Sequence, residues 1–307
     1  MIKFVNAKIN IGLQIVRKRP DGYHDLQTVF YPVGINAGTD RNPISFCDIL
    51  ELVPGKRNSF GLPSGPHPES LMPEIIFKGR KIDCEPDKNL VYKAADLFCR
   101  ETGANLSGYR LILDKHLPDG AGMGGGSADA AFTLSILADF LCKLYPENPI
   151  SEEELLRMGL ALGADCPFFI INRPCYAEGV GERLEELPLS LTGYCLLVVK
   201  PAVYISTREA FAGVTPAESN FDLRDLPSIP VEEWKGVVKN DFEDSIFPKF
   251  PLLADIKESL YRFGAAYASL TGSGSCIYGI FKSTENAEKA RIEFDSLSTI
   301  EAVYLLK

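Results

Sequence analysis

Residues 117–130, Leu-Pro-Asp-Gly-Ala-Gly-Met-Gly-Gly-Gly-Ser-Ala-Asp-Ala, place five glycines in seven positions just ahead of an apolar-periodic segment. Without a Cβ, the backbone around Gly120, Gly122, Gly124, Gly125 and Gly126 can turn its N–H groups inward and approach a ligand closely. The start of the helix that follows adds unpaired N–H groups and the positive end of a dipole. Such a run binds an anion, and a nucleotide phosphate is the expected one. Gly120 to Gly125 also satisfies G-x-G-x-x-G, so a dinucleotide site has to be tested. That fingerprint follows a strand directly and meets an acidic residue at the end of a second strand about twenty positions on. Here His116-Leu117-Pro118-Asp119 separates strand from glycines, and Asp139, at about the right distance, lies within the helical pattern. No Gly-Lys-Ser/Thr occurs, which excludes a Walker-type loop. A flexible linker is the plain alternative, opposed by ordered patterns on both flanks.

Four further groups of residues can do chemistry. Lys8 and Asn10 are two apart in an alternating segment and so share one strand face. Together an ammonium and an amide can bind phosphoryl oxygens or orient a hydroxyl; a solvated outer strand face is the alternative. Asp21-Gly22-Tyr23-His24 offers a ring to stack on a base and a polar edge to read it. Equally, Tyr23 can fill a small core with His24 satisfied nearby. Asp165, in Gly-Ala-Asp-Cys-Pro-Phe-Phe, stands just past a helix end and ahead of a proline expected to keep it extended. A carboxylate there can take a proton from an attacking hydroxyl, or be an ordinary turn aspartate. Cys166 beside it has no neighbouring base and is expected to pack. Thr271-Gly272-Ser273-Gly274-Ser275 is a second glycine turn, compatible with a plain hairpin.

These residues need a mixed scaffold. Strands are expected over 2–16, 26–33, 48–53, 75–77, 109–114, 194–200 and 302–306, with a hairpin over 269–281. Helical spacing marks 89–100, 127–144, 252–263 and 287–294, and a mainly helical acidic stretch begins at Trp234. Ser151-x-x-Glu154 is a capping box that opens a helix ending at Gly163. The fold class is α+β, without repeats or a long linker. Residues 54–73, rich in Pro, Gly and Ser, read as a surface excursion, and His67 within it carries little functional weight.

Composition narrows the function. At 307 residues the chain has room for two ordinary domains. A net charge of −9 argues against a nucleic-acid partner bound through a broad basic face. No apolar run is long enough to cross a membrane, and the first residues lack a signal-peptide core. Eight cysteines without a C-x-x-C pair suit a reducing cytoplasm. With only His24, His67 and His116, a histidine-built metal site is not expected.

The order Lys8/Asn10, Asp-Gly-Tyr-His, Pro-x-Gly-Ala-Gly-Met-Gly-Gly-Gly-Ser, Gly-Ala-Asp-Cys-Pro-Phe, Thr-Gly-Ser-Gly-Ser resembles that of the GHMP superfamily of small-molecule kinases. Ala-Lys-Ile-Asn followed by Arg-Pro-Asp-Gly-Tyr-His points to its branch acting on a cytidine-diphosphate-linked polyol. The resemblance runs from Ala7 to about Phe281. It implies a two-domain α+β fold, with an N-terminal ATP-binding domain over 1–160, a C-terminal domain over 161–307 and the active site in the cleft between them. Pro118, Gly120, Ala121, Gly122, Met123, Gly124, Gly125, Gly126 and Ser127 would wrap the ATP phosphates, Ser127 lying near Mg2+. Asp165 would be the general base and Lys8 its electrostatic partner, while Asn10 holds the acceptor. Tyr23 would stack on the cytosine, His24 would bond to it and Phe211 would close the sandwich. Thr207 would lie near the substrate diphosphate, and Gly272 would shape the acceptor side.

Ala128 departs from the second serine common in the family. Asp129 is near enough in sequence to be a carboxylate ligand of the metal or to cap the helix. A monomer or weak homodimer is expected. A superfamily kinase for homoserine, mevalonate or a sugar, and a non-catalytic nucleotide sensor, are the rival readings. The Asp-Gly-Tyr-His turn with Phe211 opposes the first, and retention of both Lys8 and Asp165 opposes the second.

Overall fold

The computed structural model describes residues 1–34, 46–55, 71–82 and 84–306; His67 and most of the 54–73 excursion lie outside them. The described chain groups into two units, each built from separated segments. The first holds 1–7, 34–119 and 124–172; the second holds 8–33, 120–123 and 173–307.

In the first unit, β1 (Ile2–Val5), β4 (Asp48–Pro54), β5 (Glu74–Gly79) and β6 (Tyr109–Lys115) form one sheet in the order β1-β4-β6-β5. β5 and β6 run parallel, which requires a crossover, and α1 (Leu90–Thr102) supplies it. α2 (Gly125–Leu144), α3 (Glu152–Leu162) and α4 (Cys166–Ile171) complete the unit, α2 packing on α1 and on the sheet. Ser151 and Glu154 make the expected capping box at α3. Asp139 sits inside α2 and pairs with Lys3 at 2.7 Å, so no second strand ends there. That disposes of the dinucleotide pattern.

In the second unit, β2 (Ala7–Lys18) and β3 (His24–Val33) join β7 (Cys175–Gly179) and β8 (Arg183–Glu186) in the order β2-β3-β7-β8. A further sheet takes the order β10-β11-β9-β12, from β9 (Cys195–Pro201), β10 (Tyr267–Leu270), β11 (Ile277–Phe281) and β12 (Ile300–Leu306). α5 (Thr207–Ala212), α6 (Phe242–Ile246), α7 (Pro251–Arg262) and α8 (Thr284–Asp295) accompany it. Leu13 and Ile15 of β2, Leu197 and Val199 of β9, Leu253 and Ile256 of α7, and Phe294 of α8 share one apolar core. The acidic stretch from Trp234 is helical only in short pieces, and Asn240 instead bridges to Leu13 of β2.

Candidate active site

Lys8 and Asn10 share one face of β2, as their spacing requires, but that face is not solvated. They are 4% and 1% exposed. Lys8 Nζ donates to Asn10 Oδ1 at 2.5 Å and lies 4.6 Å from the centre of the Phe30 ring. Asn10 Nδ2 donates to Thr28 Oγ1 at 3.0 Å. Burying a charge beside an amide is costly unless both are bonded, and here both are.

The front of the glycine run sits against the same strand. Four consecutive carbonyls accept hydrogen bonds: Gly120 from Ser275 N (3.3 Å), Ala121 from Cys276 N (3.4 Å), Gly122 from Thr271 Oγ1 (3.1 Å) and Met123 from Lys8 N (3.1 Å). No hydrogen bond from the N–H groups of these four residues is found among the described residues. Their partial negative charges are thus tied down, and their donors stay available for an anion. A Cβ on Gly122 (φ +72°) would lie 2.0 Å from the Thr271 carbonyl oxygen, and one on Gly272 (φ +54°) 2.9 Å from the Gly122 oxygen. The second glycine turn is therefore more than a hairpin: only two glycines permit this approach.

The rear of the run opens α2. Gly124 takes the left-handed conformation (φ +71°), and no side chain caps the first turn, so its N–H groups also stay available. The helix starts at Gly125, two positions earlier than its apolar pattern suggests. Beneath it, Lys115 Nζ donates to Asp48 Oδ2 at 2.6 Å and to Asp129 Oδ2 at 2.7 Å, all three residues being at most 4% exposed. Asp48 Oδ1 also accepts from the N–H groups of His116 and Leu117. Burial disfavours the Lys115 ammonium, but the two carboxylates outweigh it and raise its pKa. Burial, reinforced by Asp48 and opposed by Lys115, pushes Asp129 well above the usual carboxylate range. The carboxylate of Asp129 is thus not a helix cap; its Oδ2 is bonded to Lys115. Ala128 is fully buried, in keeping with the missing hydroxyl.

Cys166 packs as expected; burial pushes its thiol up to about 12, with nearby Ser127 only partly offsetting it. Asp165 is the N-cap of α4, with φ −81° and ψ −15°, not extended. Pro167 lies in the first turn of that helix, where its missing N–H has no partner to lose. Asp165 and Ser127 belong to the first unit, and Lys8 and Asn10 to the second.

Tyr23 is 65% exposed, which overturns a core role for it. His24 stacks on Phe211 with centroids 4.8 Å apart and planes at 19°, and Phe242 meets Phe211 edge-on. Partial burial, then Lys18, lowers the His24 pKa below 6.5. Thr207 is exposed at the start of α5, a helix capped by Ser206. Asp48, Lys115 and Asn240 were not among the residues singled out from the sequence, and Thr271 was noted only as part of the second glycine turn.

The loop, its helix and the sheets define a kinase of the GHMP class. Residues 89–173 match the GHMP kinases N terminal domain, and residues 232–296 match the GHMP kinases C terminal domain. A 4-diphosphocytidyl-2-C-methyl-D-erythritol kinase of Bacteroides thetaiotaomicron is 45% identical over 92% of each chain. Its namesake in Bacteroides fragilis (strain ATCC 25285) is 41% identical over 95% of this chain and 96% of that one. A crystal structure of 4-(cytidine 5'-diphospho)-2C-methyl-D-erythritol kinase matches over 100% of both chains, with a TM-score of 0.75 and 28% identity. The chain belongs to the 4-diphosphocytidyl-2-C-methyl-D-erythritol kinase family. It is an ATP-dependent small-molecule kinase.

Proposed function

We propose that the chain transfers the γ-phosphoryl group of ATP to the 2-hydroxyl of 4-diphosphocytidyl-2-C-methyl-D-erythritol, a step of non-mevalonate isoprenoid biosynthesis. The observation that carries this reading is the bonding of the glycine run. Four carbonyls are held by the protein and four N–H groups are left over, in a loop whose Met123 carbonyl is tied to Lys8 N of the strand that bears Lys8 and Asn10. Phosphoryl transfer needs positioning and charge neutralisation more than covalent chemistry. In this reading Pro118 to Ser127 cradle the phosphates and Asp165 accepts the proton of the attacking hydroxyl. Lys8 stabilises the charge that develops, and Asn10 and Gly272 hold the acceptor.

Tyr23, His24 and Phe211 would take the cytosine, with Thr207 near the diphosphate. The imidazole now fills the slot beside Phe211, so binding would turn it from the ring face toward the edge of the base. Mg2+ would be held by the Ser127 hydroxyl and by substrate phosphates, and would neutralise charge on the β- and γ-oxygens. Among the described residues no group of three or more His, Cys, Asp or Glu could hold an ion, which fits a metal carried largely by substrate phosphates and water. We also propose a monomer or weak homodimer working in the cytoplasm, checked by sedimentation and by fractionation.

The test is ATP consumption with 4-diphosphocytidyl-2-C-methyl-D-erythritol beside homoserine, mevalonate and galactose. Turnover with the cytidylyl substrate alone is expected. Turnover only with another alcohol would overturn the cytosine site and keep the kinase.

A further inference from the structure

We infer that Asn240 is a positioning residue for ATP binding: its amide fixes the Leu270–Gly272 turn, and with it the Thr271 hydroxyl that links Asn10 to Gly122. Asn240 lies at 2% exposure, outside every motif that drew attention in the sequence. Its Nδ2 donates to the carbonyls of both Leu270 and Gly272 at 2.9 Å, and its Oδ1 accepts from Phe242 N at 3.0 Å. All its amide hydrogens are thereby used, on the two residues that flank Thr271. Thr271 is fully buried; its Oγ1 accepts from Asn10 N at 3.1 Å and donates to the Gly122 carbonyl at 3.1 Å. A hydroxyl has one proton, so this single group sets the spacing between the strand and the glycine run.

The neighbouring residues hold Asn240 itself in place. Leu13 N donates to the Lys239 carbonyl and Asp241 N to the Leu13 carbonyl, both at 2.8 Å. Asp241 Oδ2 accepts from Ile15 N at 2.7 Å. On the far side, Glu243 Oε1 accepts from Leu270 N at 2.9 Å and from Ser269 Oγ at 3.0 Å. The Lys239–Glu243 segment therefore grips β2 with one edge and the end of β10 with the other. Removing the Asn240 donors leaves the Gly272 carbonyl without its donor and the Leu270 carbonyl with only the Ser269 hydroxyl, at 3.3 Å, and relief comes most readily by moving the turn. A moved turn releases the Gly122 carbonyl and turns a loop donor away from a phosphate.

The inference rests on the ATP-binding role of the glycine run, not on the identity of the acceptor. Calorimetric affinities for ATP and for cytidine diphosphate test it, with Tm measured on each variant. Asn240→Asp keeps the volume and the Phe242 contact but removes the paired donors. We expect it to weaken ATP at least tenfold and to leave cytidine diphosphate within twofold. Thr271→Val should act in the same direction and Thr271→Ser should restore ATP affinity to within about threefold. Ile256→Ala, in the core of the same unit, should lower Tm while leaving ATP affinity within twofold. ATP affinity within twofold of the parent in folded Asn240→Asp overturns the inference, as does an equal loss in Ile256→Ala. Should Asn240→Asp fail to fold, the Thr271→Val and Thr271→Ser pair decides by the same thresholds. Turnover of the parent with the cytidylyl substrate is scored separately; its absence would count against the substrate and leave the ATP comparison intact.

Discussion

The two ends of the glycine run are held by opposite kinds of force. In the second unit, Gly120–Met123 is tied by neutral hydrogen bonds from Ser275, Cys276, Thr271 and Lys8 to its four carbonyls. In the first unit, the strand leading to the run and the helix leaving it are joined by buried ions, Lys115 lying between Asp48 and Asp129. A neutral bond of this kind contributes only about 0.5–1.5 kcal/mol net, so no single one dominates and the set can adjust step by step. A buried cation held between two carboxyl groups behaves otherwise: removing the cation leaves an uncompensated charge, at about 3–5 kcal/mol. The contrast suits the two tasks. In the proposed reading the α2 end would stay put as a fixed reference for charge, while the Gly120–Met123 end would fit itself to a phosphate.

The largest effect expected from this contrast is that of Lys115→Met. It strands Asp48 and Asp129 without their cation, and urea unfolding should show a loss of about 3–5 kcal/mol. A loss below about 1 kcal/mol would falsify the ionic account of that end. Gly122→Ala should come next. It forces a left-handed residue, at about 1–3 kcal/mol, and its Cβ meets the Thr271 carbonyl. Gly126→Ala is its counterpart on the α2 side, where a Cβ meets only Leu90 Cδ1 at 3.8 Å within the protein, and Tm should hardly change. Equal losses in the two alanine variants would erase the distinction between the ends.

Asp129→Asn should be milder than Lys115→Met, at about 1–2 kcal/mol, because an amide keeps the shape and one acceptor for Lys115. Stability near that of Lys115→Met would mean that the charge of Asp129 itself is required.

The smallest effect lies outside the run. His24 has a lowered pKa, so on acidification the unfolded chain takes up its proton first. Its contribution to stability is therefore present above pH 6.5 and is lost as pH falls below it. Following the His24 ring resonances through a titration should give a midpoint under 6.5; a midpoint at or above that value would contradict the stacked environment.

Much of this was legible in the chain, and the failures have physical causes. The glycine run, the strand before it and the helix after it were readable because glycine spacing and apolar period are local properties. Lys8 and Asn10 were placed on one face by the period of a strand, but the period does not say which face is wet. In β2 both faces are buried, nine residues in succession. Asp48 did carry a signal: a lone carboxylate in Phe46-Cys47-Asp48-Ile49-Leu50 demands a partner, yet Lys115 is 67 residues away. Asn240 had no such signal, since Lys-Asn-Asp is ordinary turn chemistry. Asp165 was misplaced because the proline after Cys166 was taken to prevent a helix, when it lies in the first turn of one. β7 and β8 went unread because four- and five-residue strands offer too few positions to show a period.

The interleaving of the two units has a consequence for how the chain is made. β3 pairs with β7, Leu26 opposite Gly179 and Phe30 opposite Cys175, so the early hairpin waits for nearly 150 further residues before its outer edge is covered. During synthesis the first unit has all of its segments once residue 172 has emerged, whereas the second depends on residues up to the C-terminal sheet. Contacts of such long range slow folding and leave strand edges open to pairing with other chains. A ribosome-bound chain stopped near residue 172 would therefore present β2, which carries Lys8 and Asn10, and β3 as an unfinished edge: the surface on which a chaperone would act.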